Sequence, residues 1–215
     1  GLAGNYGKKR YKIRQPSAEH CIQEIEGTIK QYPVIGTGYK IGITDDIVGL
    51  NKKWRREFLA IYRERIKIPF ACALRCDVET EETMKDLARG YCDTIQFGVE
   101  SGNDYIRNVV MDKEMPRERI VTAFKLCKKY GVKTNSLNVI GVPGETKEMM
   151  MDTVKLNREI EPWHTGAYIF YPYKGTPLGD KSFKEGLVNE EKYRDFSNER
   201  RESVMNYSDE ALKRL

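Results

Sequence analysis

Short apolar segments alternate along the chain with longer segments in which apolar residues recur every three or four positions. The short segments are rich in β-branched residues and predict strands at 40–44, 70–75, 94–99, 133–140 and 165–170. The longer segments predict helices at 18–32, 50–65, 80–88, 116–130 and 146–160, with a shorter helix at 104–110. The pattern therefore indicates a series of strand and helix pairs.

Several of the predicted helices carry residues that begin and end helices. Ser17 is a predicted N-cap for the first helix and Pro33 ends it, while Pro116 and Gly131 flank the helix at 116–130. The strands begin 24 to 39 residues apart, close to the roughly 30 residues of one strand with its crossover helix. Continuous apolar strands of this kind are typical of parallel sheets covered by helices. The sequence predicts an α/β fold, either a doubly wound sheet or part of a barrel.

Both architectures bind their ligands at the carboxyl ends of the strands, so the segments that follow the strands form the candidate site. Asp45 and Asp46 follow the first strand and suit an ammonium group or a metal ion, or equally a cap for the next helix. Glu100, Ser101 and Gly102 follow the third strand. A carboxylate and a hydroxyl on a glycine turn suit a ribose or an amino group.

The segments after the last two strands have a different chemistry. Gly141 and Gly144 let the backbone approach a ligand closely, and Thr146 is a predicted cap for the helix behind them. This turn lacks the Gly-Lys-Ser/Thr ending of a phosphate-binding loop. The segment 171–177, YPYKGTP, adds tyrosines that either stack on a base or belong to the core.

The segments ITDD, FGVESG, NVIGVPGET and FYPYKGTPL, in this order and at these spacings, resemble the radical S-adenosylmethionine (radical SAM) superfamily. The resemblance covers about residues 11–178 and favours the branch whose members often carry a separate cobalamin-binding domain. It implies a partial TIM-type (β/α)6 barrel, truncated at its N-terminus, in which residues 1–180 supply the family's strands two to six. Residues 181–215 are then a C-terminal helical extension, packed on the barrel or leading to a further domain.

The resemblance also implies which residues meet the methionine part of S-adenosylmethionine (SAM). Asp45 and Asp46 stand where the family's second-strand motif meets the ammonium group. Arg75 on the family's third strand and Lys113 after the family's fourth strand are the cationic candidates for the carboxylate.

The remaining matched positions extend from the methionyl group to the adenosine. Glu100 and Ser101 stand where the family's fourth strand meets the ribose or the methionyl group. The fifth-strand motif next to adenine and the sixth strand supply the other candidates, which are Asn138, Ile140, Gly141, Tyr168 and Phe170. The sequence assigns no catalytic residue.

One family feature is missing from the sequence, the CxxxCxxC motif whose three thiolates ligate a 4Fe-4S cluster. Cys72 and Cys76 have the first spacing of this motif, but Glu79 stands where the third cysteine would be. Residues four apart in a strand point to the same face, so we expect these two thiols in the core or at its rim. Because Gly1 stands where the family's chain leaves the cluster loop, we expect the cluster ligands to precede it.

The resemblance implies a reaction in which an electron from the reduced cluster cleaves SAM to methionine and a 5'-deoxyadenosyl radical. The radical then abstracts hydrogen from a small-molecule or peptide substrate. The implied cofactors are SAM, the 4Fe-4S cluster and, in this branch, cobalamin, with flavodoxin or ferredoxin as the reductant. The specific expectation is a cobalamin-dependent methyltransferase or a related radical transferase.

Composition changes this picture little. The chain of 215 residues is 40 % hydrophobic, which is enough for one sizeable core. Its five scattered cysteines are typical of reduced cytoplasmic thiols, and no apolar run approaches the roughly 18 residues of a membrane span. The net charge of +5 is spread along the chain, apart from a basic run at 8–14. That run leaves an RNA-modifying radical enzyme as an alternative, which we rank below a small-molecule or peptide substrate.

Two alternatives from other classes of protein stay open. A non-catalytic nucleotide-binding or assembly module would keep the barrel and bind no cluster. An ordinary doubly wound α/β protein would use Asp45 and Asp46 for a magnesium site and would have no affinity for SAM.

Overall fold

The computed structural model describes residues 15–32, 40–44, 51–77, 80–195 and 202–207 of the chain. Within these ranges, five parallel strands form one sheet and lie in it in the order of the sequence. The strands are β1 (Ile41–Gly42), β2 (Phe70–Leu74), β3 (Cys92–Glu100), β4 (Lys133–Ile140) and β5 (His164–Ile169). The sheet curls into a half-barrel, which confirms the predicted α/β fold and partial TIM-type barrel.

Helices precede, connect and follow the strands. They are α1 (Ala18–Gln31), α2 (Lys52–Arg65), α3 (Glu81–Arg89), α4 (Arg117–Lys129), α5 (Lys147–Ile160), α6 (Pro177–Lys184) and α7 (Glu190–Arg194). A π-helix (Ile106–Val110) lies between β3 and α4. Side-chain caps that accept backbone N–H groups begin most of the α-helices, namely Ser17, Asn51, Thr80, Thr146, Thr176 and Asn189. None of the described helices has the length and apolarity that a membrane span requires.

The helices and strands predicted up to residue 170 begin and end within about two residues of the prediction. β4 has the predicted limits 133–140, whereas the strand predicted at 40–44 contains two ladder residues. Among the described strands β1 pairs with β2 alone, through the N–H of Ile41 to the carbonyl of Pro69 (3.0 Å) and the N–H of Ile43 to the carbonyl of Ala71 (2.9 Å). A strand with one neighbour has fewer ladder bonds to hold its ends.

In β2 and β3 the two faces of the sheet differ in the size of their side chains. On the convex face, Phe70 and Phe97 are fully buried against the helices, and the Phe97 ring centroid lies 5.1 Å from that of Phe124 in α4. On the concave face, Ala73 and Gly98 occupy the alternate positions and leave an open lumen. The large side chains therefore form the core and the small ones leave space for a ligand.

The chain after β5 returns to the barrel. Val188 and Met205 form an antiparallel bridge, and Val204, next to Met205, is fully buried. The Tyr207 hydroxyl donates to the carbonyl of Gly141, directly after β4, at 2.8 Å. In its described part the C-terminal extension thus packs on the barrel, while the domain boundary at residue 180 stays a prediction.

Gly102 joins the segment after β3 to α5, and its replacement tests this packing. The Gly102 N–H donates to Thr153 Oγ1 at 2.8 Å, and an added Cβ would overlap the carbonyl of Asp152. We expect Gly102→Ala to lower the free energy of unfolding by roughly 1–3 kcal/mol, because helix backbone cannot yield as a side chain can.

The matched control is Gly27→Ala. Gly27 lies in α1, and nothing lies within 4 Å of a Cβ added there. We expect this change to stabilise the protein by about 0.5–1 kcal/mol through helix propensity. Urea unfolding measures both variants, and equal effects of the two changes would contradict the proposed packing role of Gly102.

Candidate functional site

The concave face of the half-barrel holds a pocket of ≈ 460 Å³. Residues of β1 to β4 line it, and its space comes from small residues, namely Gly42, Ala71, Ala73 and Gly98. Its charged residues, Arg75, Glu100 and Lys113, lie at the carboxyl ends of β2 and β3 or after them. This is the end of the barrel at which the sequence predicted the site.

Glu100 and Lys113 form the charged centre of the pocket. A bulge between Gly98 and Glu100 interrupts the ladder with β4, and Glu100 has a left-handed backbone with φ 65°. Its carboxylate folds back over Gly98, where an added Cβ would overlap Glu100 Oε1. Lys113 Nζ donates to the same oxygen at 2.6 Å. A left-handed conformation costs a non-glycine residue about 1–2 kcal/mol, so surrounding contacts must hold Glu100 in it.

Arg75 lies at the rim of the same pocket. Its guanidinium donates twice to the Asp77 carboxylate, from Nε to Oδ1 at 3.0 Å and from Nη2 to Oδ2 at 2.7 Å. This bidentate pair raises the pKa of Arg75 and lowers the pKa of Asp77, which the charge of Lys113 lowers further. The structure thus brings Arg75, Glu100 and Lys113 together in one pocket, as the prediction requires.

Three other predicted residues lie outside this pocket. Ser101 is fully buried, with its hydroxyl oxygen 3.4 Å from Thr153 Oγ1 in α5. Asn138 lies on the convex face, where its Oδ1 accepts a hydrogen bond from Asn157 Nδ2 at 3.1 Å. Ile140 lies on the same face, beside α5. None of the three side chains lines the concave pocket, and their contact with a ligand stays a prediction.

Two more predicted positions lie in β5 and directly after it. Tyr168 in β5 is 58 % exposed, and its register with β4 places it on the concave face. Phe170 follows β5 and extends the ladder by donating its N–H to the last carbonyl of β4 at 2.8 Å. Asp45 and Asp46 lie outside the described residues.

Glu145 in the turn after β4 is a buried carboxyl that the sequence analysis did not single out. It is 3 % exposed, and its Oε2 accepts the N–H groups of Gly141 at 2.7 Å and Val142 at 3.3 Å. Its Oε1 has no hydrogen-bond partner among the described residues. Burial raises the pKa of Glu145. A carboxylate four residues after a turn glycine was the available signal, because it can accept the turn's own N–H groups.

Two pocket residues in β3 were also missed. Gln96 and Gly98 line the pocket, while Ile95, Phe97 and Val99 are buried on the other face. The signal was present in the sequence, since polar or small residues alternate there with large apolar ones.

The cysteines do not form a metal site in the described structure. Cys72 and Cys76 are buried in the core as predicted. The Sγ atoms of Cys72 and Cys92 lie 3.9 Å apart, and the contact with Cys72 together with burial raises the pKa of Cys92. In the part of the chain that the structure describes, no three His, Cys, Asp or Glu side chains are placed to hold a metal ion. These residues therefore do not fit a 4Fe-4S cluster.

Comparison with known sequences gives one family over most of the chain. The sequence profile described as Radical SAM superfamily matches residues 6–156. An uncharacterized methyltransferase from Pyrococcus horikoshii is 28 % identical over 176 residues, which are 81 % of this chain and 37 % of that protein. A tRNA-2-methylthio-N(6)-dimethylallyladenosine synthase from Sulfurihydrogenibium sp. is 29 % identical over 124 residues, which are 57 % of this chain and 28 % of that protein.

Comparison with solved structures gives the same fold. The radical S-adenosylmethionine methyltransferase TsrM from Kitasatospora setae, solved with cobalamin and a [4Fe-4S] cluster bound, superposes with a TM-score of 0.67 at 18 % identity. The superposition covers 80 % of this chain and 34 % of TsrM. The chain thus spans about a third of the length of the proteins that it matches, 28 % to 37 %.

The raised pKa of Glu145 predicts a pH-dependent stability. Its pKa in the folded protein lies above the ordinary 4.5, so its contribution to stability is complete below that pH and is lost as the pH rises through the raised value. We expect the melting temperature of the wild type to fall relative to Glu145→Gln as the pH rises from about 5 to about 8. Thermal unfolding across this range measures it, with exposed Glu148→Gln as the control. Parallel curves for the wild type and Glu145→Gln would contradict the expectation.

Proposed function

The chain belongs to the radical SAM superfamily, and on this premise we propose that its concave pocket binds the methionyl group of SAM beside a 4Fe-4S cluster. The observation that carries the proposal is the convergence of Glu100, Lys113 and Arg75 in one pocket at the carboxyl ends of the strands. The cluster ligands of this proposal lie outside the described residues.

The pocket residues fit the amino-acid part of SAM. That part carries an ammonium group and a carboxylate on one carbon, so it needs an acceptor and a cation close together. The Glu100 carboxylate is the acceptor, and Lys113 Nζ lies 2.6 Å from its Oε1. Arg75 adds a second cation at the rim, and Gly98 leaves room beneath the carboxylate where a side chain would fill the space. These four residues would hold the methionyl group.

When bound, SAM and a reduced cluster supply the cleavage that yields methionine and a 5'-deoxyadenosyl radical. This chain's residues bind and orient the reactant. In our proposal the Glu100 carboxylate accepts hydrogen bonds from the ammonium group, while Lys113 and Arg75 donate to the carboxylate. The half-barrel wall formed by Ala71 and Ala73 excludes water from one side of the ligand.

The turn after β4 is the adenine side of the site in our proposal. Gly141 has φ 76°, and its carbonyl and N–H are held by Tyr207 and Glu145. The turn after β4 therefore has a defined shape, and we propose that adenine lies against its backbone. Tyr168, on the concave face of β5, is the aromatic side chain in our proposal that flanks the base. Asn138, Ile140 and Ser101 then act by holding this turn and the one after β3.

We further propose a cytoplasmic methyl transfer to a small-molecule or peptide substrate, with flavodoxin or ferredoxin as the reductant and cobalamin as an additional cofactor. The similarity to an uncharacterized methyltransferase over 81 % of the chain supports this reaction class. The shared fold with a methyltransferase solved with cobalamin is in keeping with it.

The reaction class is tested with the protein in its full natural length. After anaerobic reconstitution with iron and sulfide, we expect an iron–sulfur absorption spectrum and, with dithionite, conversion of SAM to 5'-deoxyadenosine. Methyl-labelled SAM with and without cobalamin tests the methyl transfer separately. SAM binding by a protein that takes up no cluster would favour the non-catalytic module, and no SAM binding would contradict the pocket assignment.

Gly98→Ala tests the pocket with little risk to the fold. The atoms that an added Cβ would meet are Glu100 Oε1 and, at 3.1 Å, Lys113 Nζ, both at the ends of flexible side chains. We expect the melting temperature to change little and the dissociation constant of SAM to rise about tenfold, because the ion pair must move. Equilibrium dialysis measures binding, with Gly27→Ala as the control. Unaltered SAM affinity in folded Gly98→Ala would contradict the proposed site.

A further inference from the structure

Arg107 is fully buried in the connection between β3 and α4, within the π-helix. A buried guanidinium is costly unless its N–H groups are hydrogen-bonded. Its Nε donates to the carbonyl of Met115 at 2.7 Å, and its Nη1 donates to the carbonyl of Ser101 at 2.7 Å. Its Nη2 pairs with the Asp104 carboxylate. These partners lie in the segment 101–115, so the side chain ties the two ends of that segment together.

The same segment carries Lys113. The Lys113 N–H donates to the carbonyl of Arg107 at 3.0 Å. Its neighbours Asp112 and Glu114 have left-handed backbones with φ 51° and 50°. Non-glycine residues keep such conformations only where the surrounding contacts enforce them. The backbone conformation that brings Lys113 to Glu100 therefore depends on contacts within the segment 101–115. The guanidinium of Arg107 makes the contacts at the two ends of this segment.

We propose that Arg107 is a positioning residue that acts through Lys113. It holds the segment 101–115 so that Lys113 Nζ lies against Glu100 in the concave pocket. The inference rests on the proposed function, in which Lys113 binds the carboxylate of SAM. Arg107 itself touches neither SAM nor the reacting atoms. Its loss would shift the Lys113 ammonium group away from its ligand and leave the other pocket residues in place.

A double-mutant cycle on SAM binding tests this link in the full-length protein, reconstituted anaerobically. The variants are Arg107→Lys, Lys113→Met and the two combined, and equilibrium dialysis gives the dissociation constant of SAM. We expect Arg107→Lys alone to raise the dissociation constant about tenfold. In the Lys113→Met background we expect the same change to raise it less than about twofold, because the cation that Arg107 positions is gone.

Arg55→Lys is the matched control. Arg55 is also a buried arginine, but it belongs to α2 and its side chain contacts α3. Its Nη2 donates to Thr83 Oγ1 at 2.8 Å, away from the pocket. We expect Arg55→Lys to lower the melting temperature and leave the dissociation constant of SAM unchanged. If Arg107→Lys does not fold, Asn108→Ala tests the same segment, because Asn108 Oδ1 accepts the Met115 N–H at 2.7 Å. A smaller rise in the dissociation constant, again absent from the Lys113→Met background, is expected.

An equal rise in both backgrounds would overturn the inference, since it would show an effect that does not pass through Lys113. A folded Arg107→Lys with wild-type SAM affinity would overturn it as well. If the wild type does not bind SAM, or Lys113→Met binds it unchanged, the pocket assignment fails and the inference falls with it. The wild type and the Lys113→Met variant thus separate the two failures.

Discussion

The period of two along the parallel strands is the constraint on which both the core and the candidate site depend. Successive side chains point to opposite faces, so one strand can pack against the helices and line the lumen at the same time. Phe70 and Phe97 occupy the convex positions and are fully buried. Ala71, Ala73 and Gly98 occupy concave positions and leave the pocket open. The free energy of apolar burial is thereby obtained on one face without filling the other.

The charged centre of the pocket lies where this period of two is interrupted, at the end of β3. The bulge between Gly98 and Glu100 gives the end of β3 a different direction, and the carboxylate lies over the preceding glycine instead of pointing along the strand face. A negative charge over an open lumen needs a partner, and Lys113 supplies one from the following segment. The two charges come together only with left-handed backbones at Glu100, Asp112 and Glu114, and these conformations are unfavourable for residues other than glycine.

The sequence predicted the α/β architecture and named the charged residues that line the concave pocket. It did not predict the face of the sheet on which each side chain lies. Strand spacing and helix caps can be recognised locally in the sequence, so the limits of β4 and the order of the elements could be predicted from them. Arg75, Glu100 and Lys113 converge because parallel strands end at a common edge. Asn138 and Ile140 follow the same rule of position yet point to α5, since which face a residue occupies depends on the parity of the strand.

Glu145 and Arg107 escaped the sequence analysis for a related reason. Both are charged residues that the fold buries, and burial of a charge depends on backbone groups brought to it by turns that no periodicity describes. Glu145 accepts N–H groups of its own turn, and Arg107 donates to carbonyls at both ends of its segment. From the sequence alone, a polar residue in a short irregular segment is predicted to be exposed to solvent.

The described part of the C-terminal extension belongs physically to the site edge of the barrel. Tyr207 donates to the carbonyl of Gly141, while Glu145 accepts the N–H groups of Gly141 and Val142, so side chains hold the peptide units on both sides of this glycine. Tyr207 is in turn held by Ser203, whose hydroxyl lies 2.9 Å from its own. These contacts, together with the hydrogen bond from the Glu145 N–H to the carbonyl of Val142 at 2.9 Å, hold the turn between β4 and the N-terminus of α5. A boundary drawn at residue 180 would therefore divide a turn of the barrel from one of the groups that shape it.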